Sequence, residues 1–228
     1  MNERSTETVA PVFALRDVSV AYGETVVLQN VSLDVRPGEH IAIFGQSGAG
    51  KTTLLRKLYE MLPEHTALIH QDFSLVPQLS VFHNVYAGRL DQKGWFHNLR
   101  NLVRADSVDA EDVERIVDKI GLRGRLWDGV SELSGGQQQR VAVARAVYRG
   151  VDVILADEPV AAVDPQQSIA VLDMLKEAAE TVIVALHDVT LGLDAFSRVI
   201  GMRSGRVDFD LPVDEVTADH LDRLYLTC

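Results

Sequence analysis

Residues 45–52 read Gly45-Gln46-Ser47-Gly48-Ala49-Gly50-Lys51-Thr52, which fits the pattern G-x-x-x-x-G-K-[ST]. The apolar run His40-Ile41-Ala42-Ile43-Phe44 precedes it, as expected of a buried strand. Thr53 and a helical pattern through Leu54, Leu55, Leu58 and Leu62 follow it. Glycines in such a loop let backbone N–H groups converge on phosphate oxygens, and the helix N-terminus adds partial positive charge. Lys51 is placed to reach the β- and γ-phosphates of a nucleoside triphosphate, and the Thr52 hydroxyl to ligate Mg²⁺.

Working outward, Val12–Tyr22 and Val26–Val35 read as strands separated by a turn at Gly23. The stretch from about 75 to 150 is helical in pattern. Ser80 is a plausible N-cap for Val81–Arg89, and Asp109 for a helix stopped by Gly121. Leu99, Leu102 and Val103 suggest a short amphipathic helix, and another spans Gly136–Tyr148. Beyond it strands and helices alternate: Val151–Ala156, a helix opened by Asp164-Pro165, Thr181–Leu186, a helix near Val189–Phe196, then Arg198–Met202 and Arg206–Phe209, with a closing helix at Ala218–Leu226. Such alternation implies a mostly parallel sheet.

The run Val153-Ile154-Leu155-Ala156 delivers Asp157 and Glu158 at the C-terminal end of a buried strand, where parallel sheets place their ligands. Asp157 there suits a magnesium ligand, and Glu158 suits a group that orients or deprotonates attacking water. By itself an Asp-Glu pair before Pro159 also reads as a plain strand end; the phosphate loop favours the functional reading.

The 228 residues carry 22 Lys+Arg and 33 Asp+Glu, a net charge of −11, with 46 % hydrophobic residues. That composition is globular rather than disordered, and it argues against broad electrostatic binding to nucleic acid. One cysteine, Cys228, leaves no internal disulfide framework and no multi-cysteine zinc site. The first thirteen residues have no apolar core of the signal-peptide kind, and no apolar run reaches membrane-spanning length. Residues 88–104 hold Arg89, Lys93, Arg100 and Arg104 among Trp95 and Phe96. They read as an amphipathic insertion, with a nucleic-acid patch or a surface facing lipid and permease as the alternatives. His40, His65, His70, His83, His97 and His220 show no metal-like spacing and are taken as structural or solvated.

The octapeptide Leu133-Ser134-Gly135-Gly136-Gln137-Gln138-Gln139-Arg140 offers a second set of donors at a helix N-terminus. It closely resembles the signature of ATP-binding cassette (ABC) ATPases, and the resemblance extends over essentially the whole chain. It implies an α/β P-loop NTPase fold of ABC type. In that fold a mixed, mainly parallel core (about 12–74 and 151–228) has N-terminal antiparallel strands and carries an inserted α-helical subdomain (about 75–150). It further implies ATP and Mg²⁺ as ligands. Tyr22 matches the aromatic that stacks on adenine, though a core or strand-end tyrosine is the plainer reading. Gln71 matches the glutamine that touches Mg²⁺ and senses the membrane partner, and His187 the histidine on the γ-phosphate. Asp164 matches the loop that crosses a dimer interface and also reads as an N-cap. Ser134, Gly135, Gly136 and Gln137 would face the Lys51 loop of a second copy in a head-to-tail dimer.

Three stretches resemble the phosphonate- or phosphite-import branch: Phe73–Val81 with Asn84–Arg89, Glu158-Pro159-Val160-Ala161, and Val199–Arg206 through Leu224-Tyr225. The partners implied are transmembrane permease subunits and a solute-binding protein, with no nucleic acid. The implied location is peripheral, on the cytoplasmic side of the inner membrane. Cassettes of lipoprotein or drug exporters, or an ATP-gated regulatory module with little turnover, are the alternatives. Three departures bear on them. Only 20 positions separate Lys51 from Gln71, about half the usual interval, so a strand pair is missing or reduced there. Ala162 stands where a serine is common, and Val163 where a leucine is usual.

Overall fold

The phosphate loop lies at the meeting of two sheets in the computed structural model, which describes residues 10–225. Strands β1 (Phe13–Tyr22) and β2 (Thr25–Val35) form an antiparallel hairpin whose inward residues include Phe13, Leu15, Leu28, Leu33 and Val35. The second sheet has six strands. These are β3 (His40–Phe44), β4 (Thr66–Ile69), β5 (Val153–Asp157), β6 (Thr181–Ala185), β7 (Arg198–Arg203) and β8 (Arg206–Pro212), in the order β4-β5-β6-β3-β7-β8. All neighbours are parallel except β7 and β8.

Strand alternation sorts the core into two layers. Ile41 and Ile43 pack with Leu54, Leu55 and Leu58 of α1 (Lys51–Met61) and with the β1–β2 hairpin. Ala42 and Phe44 face the other way, onto α5 (Gly135–Arg149), α6 (Pro165–Ala178) and α7 (Val189–Ala195). Strands β3, β5 and β6 are covered on both faces, which is why their sequences are continuous apolar runs. α1 and Gln71 are joined by a single turn at Pro63–His65 and the one strand β4.

A third cluster joins α2 (Val81–Tyr86) and α4 (Ser107–Lys119) to the far side of α5 through Val85, Val113, Val117, Val141 and Tyr148. Ser80 caps α2 as expected, but the helix tightens to a 3₁₀ turn at Ala87–Arg89. Asp109, expected as an N-cap, is instead inside α4; Asp106 takes the cap by accepting from Val108 N–H. Asp109 is buried and accepts from Asn101 Nδ2 (2.8 Å), Lys93 Nζ (3.2 Å) and the Tyr148 hydroxyl (3.4 Å), with His97 Nε2 at 2.6 Å. An isolated buried carboxylate costs several kcal/mol, so it persists only with such partners.

Those partners reverse helix α3 (Trp95–Val103). His97, Asn98 and Asn101 point inward to Asp109 and to the Tyr86 hydroxyl, and Asn101 is fully buried. The apolar stripe therefore faces outward: Trp95 is 65 %, Phe96 72 % and Val103 86 % exposed. The amphipathic pattern is present with its polarity inverted relative to an ordinary surface helix. His97 is thus a structural ligand of Asp109.

Candidate active site

Gly45 leaves β3 with φ 151°, and a Cβ there would stand 2.3 Å from the Met202 carbonyl oxygen, so only glycine fits. The loop rises over Gln46, Ser47 and Gly48, which are exposed, and returns to buried Ala49 and Gly50 before α1 begins at Lys51. Lys51 is buried, and its ammonium donates to the Gly45 carbonyl (2.7 Å) and the Gln46 carbonyl (3.1 Å). Burial pushes its pKa down, against the opposing pull of Glu158 and Asp157. The adjacent Thr52 hydroxyl donates to Asp157 Oδ2 at 2.6 Å. Thr53 lies one residue further along α1.

β5 ends at Asp157, and the chain then turns through Glu158 in a left-handed conformation (φ 54°), which sends the second carboxylate away from the first. Glu158 Oε1 lies 2.7 Å from His187 Nε2, at the end of β6, and Glu158 Oε2 is 3.5 Å from Gln71 Nε2. Four elements therefore meet at one sheet edge, bringing together Lys51, Thr52, Gln71, Asp157, Glu158 and His187. The short Lys51–Gln71 segment does not withdraw Gln71 from this group. A cleft of about 520 Å³ opens beside it, lined by Val163, Ile169, Leu191 and others together with Glu158 and His187.

Ser134, Gly135, Gly136 and Gln137 are not part of that group. Ser134 Oγ accepts from the Gln137 N–H and the Gln137 side chain accepts from the Ser134 N–H, a capping box that opens α5. A Cβ on Gly136 would stand 2.4 Å from the Ala162 carbonyl, so the turn packs against the loop carrying Ala162, Val163 and Asp164. Asp164 caps α6 by accepting from the Gln167 N–H. Tyr22, at the hairpin turn, is 57 % exposed, which removes the core reading and leaves its ring open for stacking.

Two supporting side chains escaped the sequence reading. Gln139 donates to the Glu158 carbonyl (2.5 Å) and accepts from the Ala162 N–H (2.9 Å), tying α5 to the turn that aims Glu158. Arg145 donates to the carbonyls of Phe73 (2.8 Å) and Ser74 (2.7 Å), two consecutive left-handed residues just after Gln71. Non-glycine residues hold that conformation only when their surroundings enforce it. Neither contact has a local signal, because the partners lie 19 to 72 positions apart.

The arrangement can cradle phosphates, gather a hydroxyl and a carboxylate at one point, and hold a second carboxylate beside an imidazole. The profile of the ABC transporter family matches residues 28–161. A phosphonates import ATP-binding protein of Pseudomonas syringae pv. tomato is 38 % identical, covering 88 % of this chain and 86 % of the relative. One of Pseudomonas putida is also 38 % identical, covering 92 % and 88 %. Among solved structures, a dimeric bacterial ABC transporter cassette superposes with a TM-score of 0.75 at 26 % identity, covering 88 % of this chain and 98 % of that one. A post-hydrolysis cassette dimer bound to ADP and Pi gives 0.72 at 27 % identity, with the same coverage. The chain belongs to the ABC transporter family, as an ATP-binding and ATP-hydrolysing cassette.

Proposed function

We propose that the chain powers import of a phosphonate- or phosphite-like oxyanion, working as one of two copies beneath transmembrane permease subunits fed by a solute-binding protein. The observation that carries the import reading is the extent of the similarity. It runs at 38 % over 88 % of the chain to a phosphonates import ATP-binding protein, well beyond the nucleotide motifs. The chain has no helix among its described residues long and apolar enough to cross a membrane, so it would sit peripherally, at the cytoplasmic face. The outward apolar stripe of α3 is a surface suited to that permease.

Tyr22 stacks on the adenine, and the N–H groups of residues 45–53 with the Lys51 ammonium bind the phosphates. Lys51 exchanges its loop carbonyls for the β- and γ-phosphates as ATP enters. A hydroxyl beside a carboxylate, completed by nucleotide phosphates, is a donor set that suits Mg²⁺. Thr52, Asp157 and Gln71 would hold the ion, and when bound it neutralises charge on the phosphoryl oxygens. Glu158 orients the attacking water and takes its proton as the oxygen bonds to the γ-phosphorus and the bond to ADP breaks. His187, 2.7 Å from Glu158, fixes that carboxylate and faces the γ-phosphate.

The Ser134 segment has no place in this chain's own phosphate group, which supports a head-to-tail dimer in which it covers the partner's ATP. Asp164 and the cleft beside Glu158 would line the same junction. Two identical sites then form from one sequence. Glu158→Gln should keep ATP binding and lose roughly 10²- to 10⁴-fold in hydrolysis. Undiminished turnover in that variant would remove Glu158 from the mechanism. For cargo and direction, the native complex is purified by the tagged chain. A co-purifying permease and oxyanion-binding protein supports import; an exporter subunit in their place contradicts it.

A further inference from the structure

The C-terminal helix α8 (Ala218–Tyr225) ends on the phosphate loop, although nothing in the mechanism above uses it. Its position is fixed by buried Leu224, by the Phe209–His220 ring contact (5.1 Å) and by the Arg223–Asp208 ion pair (3.7 Å). At its end the Gln46 side chain donates from Nε2 to the Tyr225 carbonyl at 2.8 Å. Burial pushes the Tyr225 phenol above the ordinary value, with the Gly45 N–H acting on it in the opposite sense.

Gly45 and Gln46 are also the residues whose carbonyls hold the Lys51 ammonium. When Lys51 leaves them for the phosphates of ATP, those carbonyls lose their cation. The loop must nevertheless keep its shape, because its N–H groups are useful only while they converge. We propose that the end of helix α8, held by Gln46 at the Tyr225 carbonyl, is a positioning element for the phosphate loop, a strap that keeps the loop open for nucleotide after Lys51 has moved. This rests on the Lys51 loop being the phosphate cradle.

The test measures fluorescent-ATP affinity, steady-state KM and kcat, and thermal midpoint for the full chain and for Gln46→Leu, which removes the donor to the Tyr225 carbonyl. Loss of that one hydrogen bond to the strap predicts a rise in Kd and KM of about three- to tenfold. It predicts a kcat within twofold and an unchanged thermal midpoint. Unchanged Kd and KM in Gln46→Leu, or a lowered midpoint with unchanged KM, overturns the proposal, because the helix would then serve only packing. Lys51→Ala run alongside separates the two ideas. If it retains normal ATP affinity, the cradle itself is misassigned. If it loses affinity while Gln46→Leu does not, the cradle stands and the strap fails.

Discussion

The Lys51 loop and the Ser134 turn both open a helix with backbone donors, yet their surroundings differ. Around Lys51 the same chain supplies Thr52, Asp157, Glu158, His187 and Gln71 from four elements of the fold. Around Ser134 the polar groups bond one another in a capping box, and Gly136 packs against the Ala162 carbonyl. The N–H groups of Gly135 and Gly136, in the first turn of α5, have no partner within a helix. One region gathers the groups of the proposed active site within one chain, and the other leaves the donors of its first turn without such company. The contrast favours two copies sharing each ATP over one chain closing on its own.

The largest expected effect separates the regions directly. Lys51→Ala should weaken ATP binding by the isolated chain at least about 100-fold, the worth of a lost charge-assisted contact of roughly 3 kcal/mol. Ser134→Arg should leave that affinity unchanged while abolishing turnover, at about 1 kcal/mol of stability for the lost cap. Equal losses of affinity in the two variants would erase the distinction.

Arg145→Met probes the link between them, since α5 starts at the Ser134 turn and carries Arg145 to the Gln71 loop. Freeing Phe73 and Ser74 should lower kcat about tenfold through misplacement of Gln71, with ATP affinity unchanged. A variant as fast as the parent would show that the loop holds itself.

The smallest effect lies in the helical cluster. Burial pushes the Asp109 carboxyl up, but hydrogen bonds from His97, Asn101 and Lys93 prevail and hold its pKa below the usual carboxylate value. A depressed folded-state pKa contributes stability that is present above the unfolded value and lost as pH falls through the folded one. Denaturant titrations should therefore show Asp109→Asn less stable at neutral pH by about 1–3 kcal/mol. The gap should narrow as the medium is acidified into and below the carboxylate range. A gap constant with pH would argue that packing, not charge, holds α3.

What the sequence reveals follows from the range of the interactions. The phosphate loop, the Asp157-Glu158 strand end and the Ser134 turn are contiguous patterns, legible because their donors and acceptors sit within a few residues. Strands β3, β5 and β6 announce themselves as apolar runs because both their faces are covered. The sequence alone does not single out the cap of α4, because Asp106 and Asp109 offer the same chemistry three residues apart and only tertiary contacts draw Asp109 inward. The same contacts invert α3, whose periodicity reveals a stripe but not the side it faces. Gln139, Arg145 and the end of α8 reach partners 19 to 179 positions away, and no local pattern encodes such reach.

The central claim, that each ATP is shared between two chains, is tested most directly by mixing Lys51→Ala chains with Ser134→Arg chains and measuring ATP hydrolysis. Each variant alone should be inactive. A mixed dimer retains one site with an intact Lys51 loop from one chain and an intact Ser134 turn from the other, so random pairing should restore up to about a quarter of parental activity. Activity no greater than the sum of the two separate variants would mean that the sites are not shared, and would contradict the account.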